Sequence, residues 1–182
     1  MNYQSDMEAY HMEHFSLQPV AIQDLETAMG LICEAKRYLK SQGIDQWQAG
    51  YPDESSIRED IENNRGYFIT DGTQTAAYLC IDFKGEPAYE TLIGSWLSNL
   101  PYAVIHRMAI AEDYRGKGLA STVFQLAERL CKEKNVSSIR VDTDEKNLIM
   151  RHVIAKNGFE YCGTVWFQNS SKQAYEKIIH SL

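Results

Sequence analysis

The chain has 182 residues, of which 44% are hydrophobic and 24% charged, and its formal net charge is −7. That length supports one domain with a real core, and the composition excludes a disordered or fibrous protein. The acidic balance speaks against nucleic acid as a partner, because phosphate backbones demand a basic face; it favours a neutral or cationic substrate.

The first twenty residues hold no Lys or Arg and no apolar run, unlike a signal peptide or a mitochondrial presequence. Residues 1–13 read as a polar leader, with Met12 as an alternative start, ahead of a single domain at 14–182. No segment is long and apolar enough to span a bilayer, so no membrane association is expected. Cys33, Cys80, Cys131 and Cys162 form neither a CxxC pair nor a Cys/His cluster. Reduced, mostly buried thiols in a cytoplasmic protein without a metal site are expected.

Phe15 to Ile22 reads as a first strand. Asp24 to Ser41 reads as a helix, because Leu25, Ala28, Met29, Ile32, Ala35 and Leu39 recur at helical spacing, and Gly43 follows as its stop. Ile44 to Pro52 is irregular and carries Trp47 and Tyr51. Ser56-Ile-Arg-Glu59 has the form of a capping box opening a short helix, with Ile57 and Ile61 inward. Tyr67 to Thr70 and Thr75 to Phe83 read as strands joined at Asp71-Gly72. Lys84 to Ala88 reads as a turn and Thr91 to Asn99 as a short helix containing Trp96. Tyr102 to Ala111 reads as a strand and Lys117 to Lys134 as a strong helix, with Leu119, Val123, Leu126, Ala127 and Leu130 inward. Ser138 to Thr143 reads as a strand and Asn147 to Lys156 as a helix ended by Asn157-Gly158. Tyr161 to Gln168 and Gln173 to Ile179 read as a hairpin around Asn169-Ser170-Ser171. This order predicts an α/β fold: a mixed, mostly antiparallel twisted sheet with helices on both faces.

The most informative stretch runs from His106 to Ala120. A strand enters Arg115-Gly-Lys-Gly118, which opens a helix. Backbone N–H groups at a helix start converge on an anion, and the glycines let the backbone approach it closely. Arg115 and Lys117 add charge. The chain has neither GxxxxGK[ST] nor GxGxxG after a first strand, which disfavours P-loop and dinucleotide folds. A plain turn and cap is the alternative.

Arg115-Gly-Lys-Gly118-Leu-Ala120 resembles the R/Q-x-x-G-x-G/A signature of the GNAT superfamily of N-acetyltransferases. Downstream, Arg140-Val-Asp-Thr143, Asn147 and Lys156-Asn-Gly-Phe159 resemble its second motif. The element order from about Phe15 to Ile179 is similar as well. The resemblance implies an acetyl-CoA site. Its diphosphate would sit on the N–H groups of Arg115, Gly116, Lys117, Gly118, Leu119 and Ala120. Its pantetheine arm would lie along Met108, Ala109 and Ile110, where two parallel strands splay, and pair with the backbone of Met108 and Ile110. Asn147 would bond the pantetheine or sulfur; its alternative is a role in the turn before the helix. A small-molecule or peptide amine would be the acceptor, and the resemblance leaves a homodimer open.

Transfer to an amine needs a neutral nucleophile, a donor for the oxyanion and a proton for the leaving thiolate. The resemblance assigns the oxyanion to a backbone N–H at Met108 or Ile110. The family often places a tyrosine acid where this chain has Ile154, a departure that leaves the acid open. His152 and Tyr161 are candidate substitutes. His106, two residues before Met108 and on its face by strand alternation, is a candidate general base or a satisfied core histidine. Arg107 is expected in an ion pair across the sheet, with Asp142 as a candidate partner; a substrate carboxylate is the alternative partner. Trp47, Tyr51 and Tyr89, with Asp53, Glu86 and Glu90, are candidates to line a pocket for a cationic amine, against ordinary packing. Trp96 and Trp166 read as core or interface, and Glu112 and Asp113 as solvated residues beside the loop. Two alternatives remain: a non-catalytic acyl-CoA sensor, and an acyltransferase using a larger acyl-CoA.

Overall fold

The computed structural model describes residues 14–179; the leader at 1–13 and its Met12 lie outside the described residues. The elements are β1 (Ser16–Pro19), α1 (Leu25–Ser41), α2 (Glu54–Glu62), β2 (Gly66–Thr70), β3 (Thr75–Asp82), β4 (Ile93–Gly94), β5 (Tyr102–Ile110), α3 (Leu119–Glu133), β6 (Ser138–Asp144), α4 (Leu148–Lys156), β7 (Glu160–Phe167) and β8 (Ser170–Ile178). Short 3-10 turns occupy Ile22–Asp24, Pro87–Thr91 and Glu112–Tyr114. The strands form one eight-stranded sheet in the order β1-β2-β3-β5-β6-β8-β7-β4. It is mixed and mostly antiparallel, as expected, with β5 and β6 parallel.

The chain divides into two compact units, one of residues up to Cys80 with Arg107–Ala127, the other of Ile81–His106 with the residues from Glu128 on. In the first, α1 buries Ala28, Leu31, Ile32 and Ala35 with Ile57 and Ile61 of α2, Phe68 and Tyr78 of the sheet, and Ala109. Ala28, Ile32 and Ala35 are positions the helical spacing marks, Leu31 joins them, and Leu25 and Met29 are only partly buried; burial supplies the main stabilising term. In α2 the same inner face also carries Asp60, fully buried. The helix starts earlier than the capping box suggests. Asp53 is its N-cap and accepts from the Ser56 N–H at 2.9 Å and from its hydroxyl at 2.6 Å. Those bonds hold the Asp53 carboxyl below its ordinary pKa and commit it to the helix end rather than to an amine pocket.

In the second unit Tyr89, Val104, Val165 and Ala174 form the core. No helix forms at Trp96. Ile93–Gly94 pairs with β7, and the N–H groups of Leu97 and Ser98 donate to the buried Glu176 carboxylate at 2.6 and 3.3 Å. Glu176 also accepts from Ser98, Ser138 and Arg140, so a distant carboxylate captures donors that a helix would have used. The final hairpin turns at Gln168 and Asn169, both left-handed, one step before the expected Asn-Ser-Ser loop. Trp166 is 65% exposed and is not core. The β5–β6 ladder runs only from Tyr102↔Ser138 to Val104↔Arg140, while both strands continue beyond it.

Candidate active site

In the first unit, β5 ends at Ile110, the chain takes a 3-10 turn, and Arg115 to Gly118 lead into α3. Gly116 and Gly118 are left-handed, with φ of 71° and 85°. A Cβ is disfavoured there, which is why the loop uses glycine at both positions. Gly116, Lys117 and Gly118 are exposed. Among the described residues, the N–H groups of Gly116 to Ala120 have no backbone acceptor. The first N–H groups of α3 are orphaned by helix geometry, and the loop adds more donors beside them. This row of uncommitted donors, next to Lys117, fits a diphosphate.

The Arg115 side chain takes a different course from the loop around it. Its Nε donates to the Ile110 carbonyl at 2.9 Å, and its guanidinium lies 4.7 Å from the Tyr38 ring centroid. One terminal nitrogen is buried without a hydrogen bond, 3.6 Å from Glu34. Arg115 therefore ties the loop to the end of β5, and the Ile110 carbonyl keeps a second lone pair for another donor. Tyr114 fastens the loop on its other side by donating to Asp71 at 2.6 Å.

The same unit holds Trp47 and Tyr51, both half-buried. Trp47 packs against the apolar core, and Lys36 donates to the carbonyls of Gly50 and Pro52, fixing this segment to α1. The Tyr51 hydroxyl accepts from Arg107, and burial pushes its pKa up to about 12. Arg107 does not pair with Asp142. Its Nε donates to Asp60 at 2.7 Å, a second nitrogen reaches the other Asp60 oxygen, and Tyr78 donates to the same carboxylate at 2.9 Å. The left-handed backbone at Arg107 (φ 55°) also interrupts strand alternation, so a shared face for His106 and Met108 no longer follows from their spacing.

In the second unit, His106 Nε2 lies 3.4 Å from Glu86 Oε2, and the ring stacks on Phe167 with centroids 5.6 Å apart. Glu86 is itself fixed by accepting from the Ala88 N–H at 3.0 Å. Tyr89 is buried rather than open to solvent, and its hydroxyl donates to Asp142 at 2.7 Å. Burial raises the Asp142 carboxyl above its ordinary pKa. The Glu86 carboxylate beside Nε2 and the Phe167 ring against its face fix the orientation of the imidazole. Asn147 is the N-cap of α4 and accepts from the Met150 N–H at 3.1 Å, so the turn role is present. Ile154 is buried core. Tyr161 is 55% exposed and stands edge-on to Tyr175. Glu90 is exposed, as are Glu112 and Asp113, and His152 is exposed on α4.

Residues 32–159 match the model of the Acetyltransferase (GNAT) family. The chain belongs to that family. A GNAT-family acetyltransferase structure from Streptococcus agalactiae is 32% identical, with a TM-score of 0.84 over 92% of this chain and 96% of that one. An uncharacterized N-acetyltransferase of Bacillus subtilis, YesJ, is 23% identical over 80% of this chain and 81% of its own length. The aminoglycoside acetyltransferase AAC(6')-Ib, solved with coenzyme A and kanamycin, shares the fold at 19% identity, with a TM-score of 0.65 over 90% and 94% of the two chains. Membership in the GNAT family implies acyl-CoA-dependent acetyl transfer. Among the described residues, no helix is long and apolar enough to cross a membrane.

Sequence reasoning missed Asp60, Tyr78, Phe167 and Glu176. Asp60 carried a signal, since a carboxylate between Ile57 and Ile61 on an apolar face requires a partner. The others became visible only through pairings distant in sequence.

Proposed function

We propose that the protein transfers an acetyl group from acetyl-CoA to a primary amine of a small molecule or peptide. The observation that carries this reading is the row of uncommitted N–H groups from Gly116 to Ala120. Hydrogen bonds to a charged group contribute roughly 1.5–3 kcal/mol each, so several hold a diphosphate firmly. The pantetheine arm lies along the backbone of Met108 to Ile110.

The amine nitrogen attacks the thioester carbonyl, a C–N bond forms, and the C–S bond breaks. A backbone N–H at Met108 or Ile110 meets the oxyanion. His106, held by Glu86, takes the proton that the amine loses. The departing thiolate has an ordinary pKa of about 8.5 and tolerates the absence of a tyrosine at Ile154. Tyr161 is the remaining candidate donor. Trp47 and Tyr51 shape the acceptor side, Tyr51 through the Arg107 it bonds, while the buried Tyr89 stays with the core of its own unit. The acidic balance suits a cationic acceptor. The four cysteines are free thiols, three of them buried, which suits a cytoplasmic setting.

The test follows thiol release from acetyl-CoA with polyamines, kanamycin, amino acids and peptides, alongside thermal stabilisation by CoA. Amine-dependent release supports the reading. Ile154 favours one other reading, a non-catalytic acyl-CoA sensor, which stabilisation without release would support. Faster release from a longer acyl-CoA would redefine the donor. No stabilisation by any CoA compound would reject the site.

A further inference from the structure

Arg107 is a left-handed arginine in the middle of β5. The other non-glycine residues with positive φ lie outside strands, at Trp47, Asn64, Asn135, Gln168 and Asn169. Arginine has no short polar side chain to favour this conformation locally, so its surroundings must hold it. Asp60 is the group that does so. It is fully buried on α2, where a carboxylate persists only with a partner, and it grips the guanidinium through two nitrogens. Tyr78 donates to the same carboxylate, Cys80 hydrogen-bonds it as well, and Arg65 lies 3.7 Å away. The third guanidinium nitrogen donates to Tyr51. With all three nitrogens engaged, Arg107 is a strut within the fold and not a receptor for a substrate carboxylate.

We propose that Arg107 is the positioning residue of the acyl-transfer strand. Clamped by Asp60, it holds the left-handed backbone at 107 that aims the backbone of Met108 to Ile110. Through Tyr51 it couples the 44–52 segment to that point of the strand. A left-handed residue within a strand re-aims the groups that follow it, and here those are the groups assigned to the thioester arm. Lys36 fixes the same segment to α1, so Tyr51 sits between two anchors. One side chain thus sets both the donor strand and the position of the acceptor segment. This inference rests on the acetyltransferase reading.

The test uses acetyl-CoA and the amine of highest turnover from the panel. Arg107→Lys keeps the charge and loses the planar fork. It is expected to lower kcat and weaken CoA binding by about tenfold or more. Tyr51→Phe cuts only the tether, and is expected to raise the amine KM about fivefold while the acetyl-CoA KM stays unchanged. Ile57→Val, buried in the same helix outside the clamp, supplies a packing loss for comparison. Equal kinetic losses in Ile57→Val, or wild-type kinetics in Arg107→Lys, overturn the proposal. If Arg107→Lys does not fold, Tyr51→Phe decides, and an unchanged amine KM overturns it. Failure of CoA to stabilise the unaltered protein would overturn the acetyltransferase reading as well; stabilisation with unmoved variant kinetics overturns the clamp alone.

Discussion

The Arg115–Ala120 loop and the cluster around His106 are built in opposite ways. The loop is a contiguous run of backbone whose donors exist because a helix begins there and two glycines turn left-handed. The cluster is made of side chains delivered by a 3-10 turn, β5, β6 and β7. A site made of backbone depends on local conformation, so it tolerates changes at many side chains and fails at a glycine. A site made of side chains depends on each one and on the packing beneath it.

Gly118→Glu should separate the two most sharply. CoA at a hundred times its Kd adds about 2.7 kcal/mol to the stability of a protein that binds it. The variant should lose all of that, because the new carboxylate strains a left-handed position and repels the diphosphate; retained stabilisation in a melting curve would break the backbone account. His106→Ala should show the reverse pattern, with kcat lower by about 10²–10⁴ and CoA stabilisation intact. Unchanged turnover would remove His106 from the chemistry.

Asp60→Ala probes the packing beneath the donor strand. It leaves the Arg107 guanidinium, 11% exposed, without its carboxylate, and a urea titration should show a loss of about 3–5 kcal/mol. A loss below about 1 kcal/mol, the scale of an exposed pair, would mean the pair is dispensable.

The smallest effect is expected at Asp142. Burial raises its carboxyl, so ionising it inside the fold costs stability. That cost is absent below the unfolded carboxylate value of about 3.9 and grows as pH rises through the higher folded value. Asp142→Asn keeps an acceptor for Tyr89 and has no such cost. The Tm of the variant relative to the unaltered protein should therefore be more favourable near pH 7.5 than near pH 4; a pH-independent difference would contradict it.

The same contrast explains what the sequence reveals. The α1 face, Ile57 and Ile61, the glycine loop and the Asn157-Gly158 stop are legible because each is decided within a few residues. Trp96 looks helical until Glu176, far along the chain, takes the N–H groups of Leu97 and Ser98. Arg107 pairs with Asp60 because α2 presents a fully buried carboxylate that needs a cation. The start of α2 is misplaced because Ser56 looks like a cap when it is the donor to Asp53. Side-chain competition over long separations leaves no periodic trace.

The loop is braced from both flanks, by Arg115 folded onto the Ile110 carbonyl and by Tyr114 bonded to Asp71. Asp71 in turn closes its own turn by accepting from Thr73 and Gln74. A cradle fastened in this way has already lost most of its conformational freedom on folding. A diphosphate arriving there does not have to order the backbone that receives it, so little of the binding free energy is spent on the protein side.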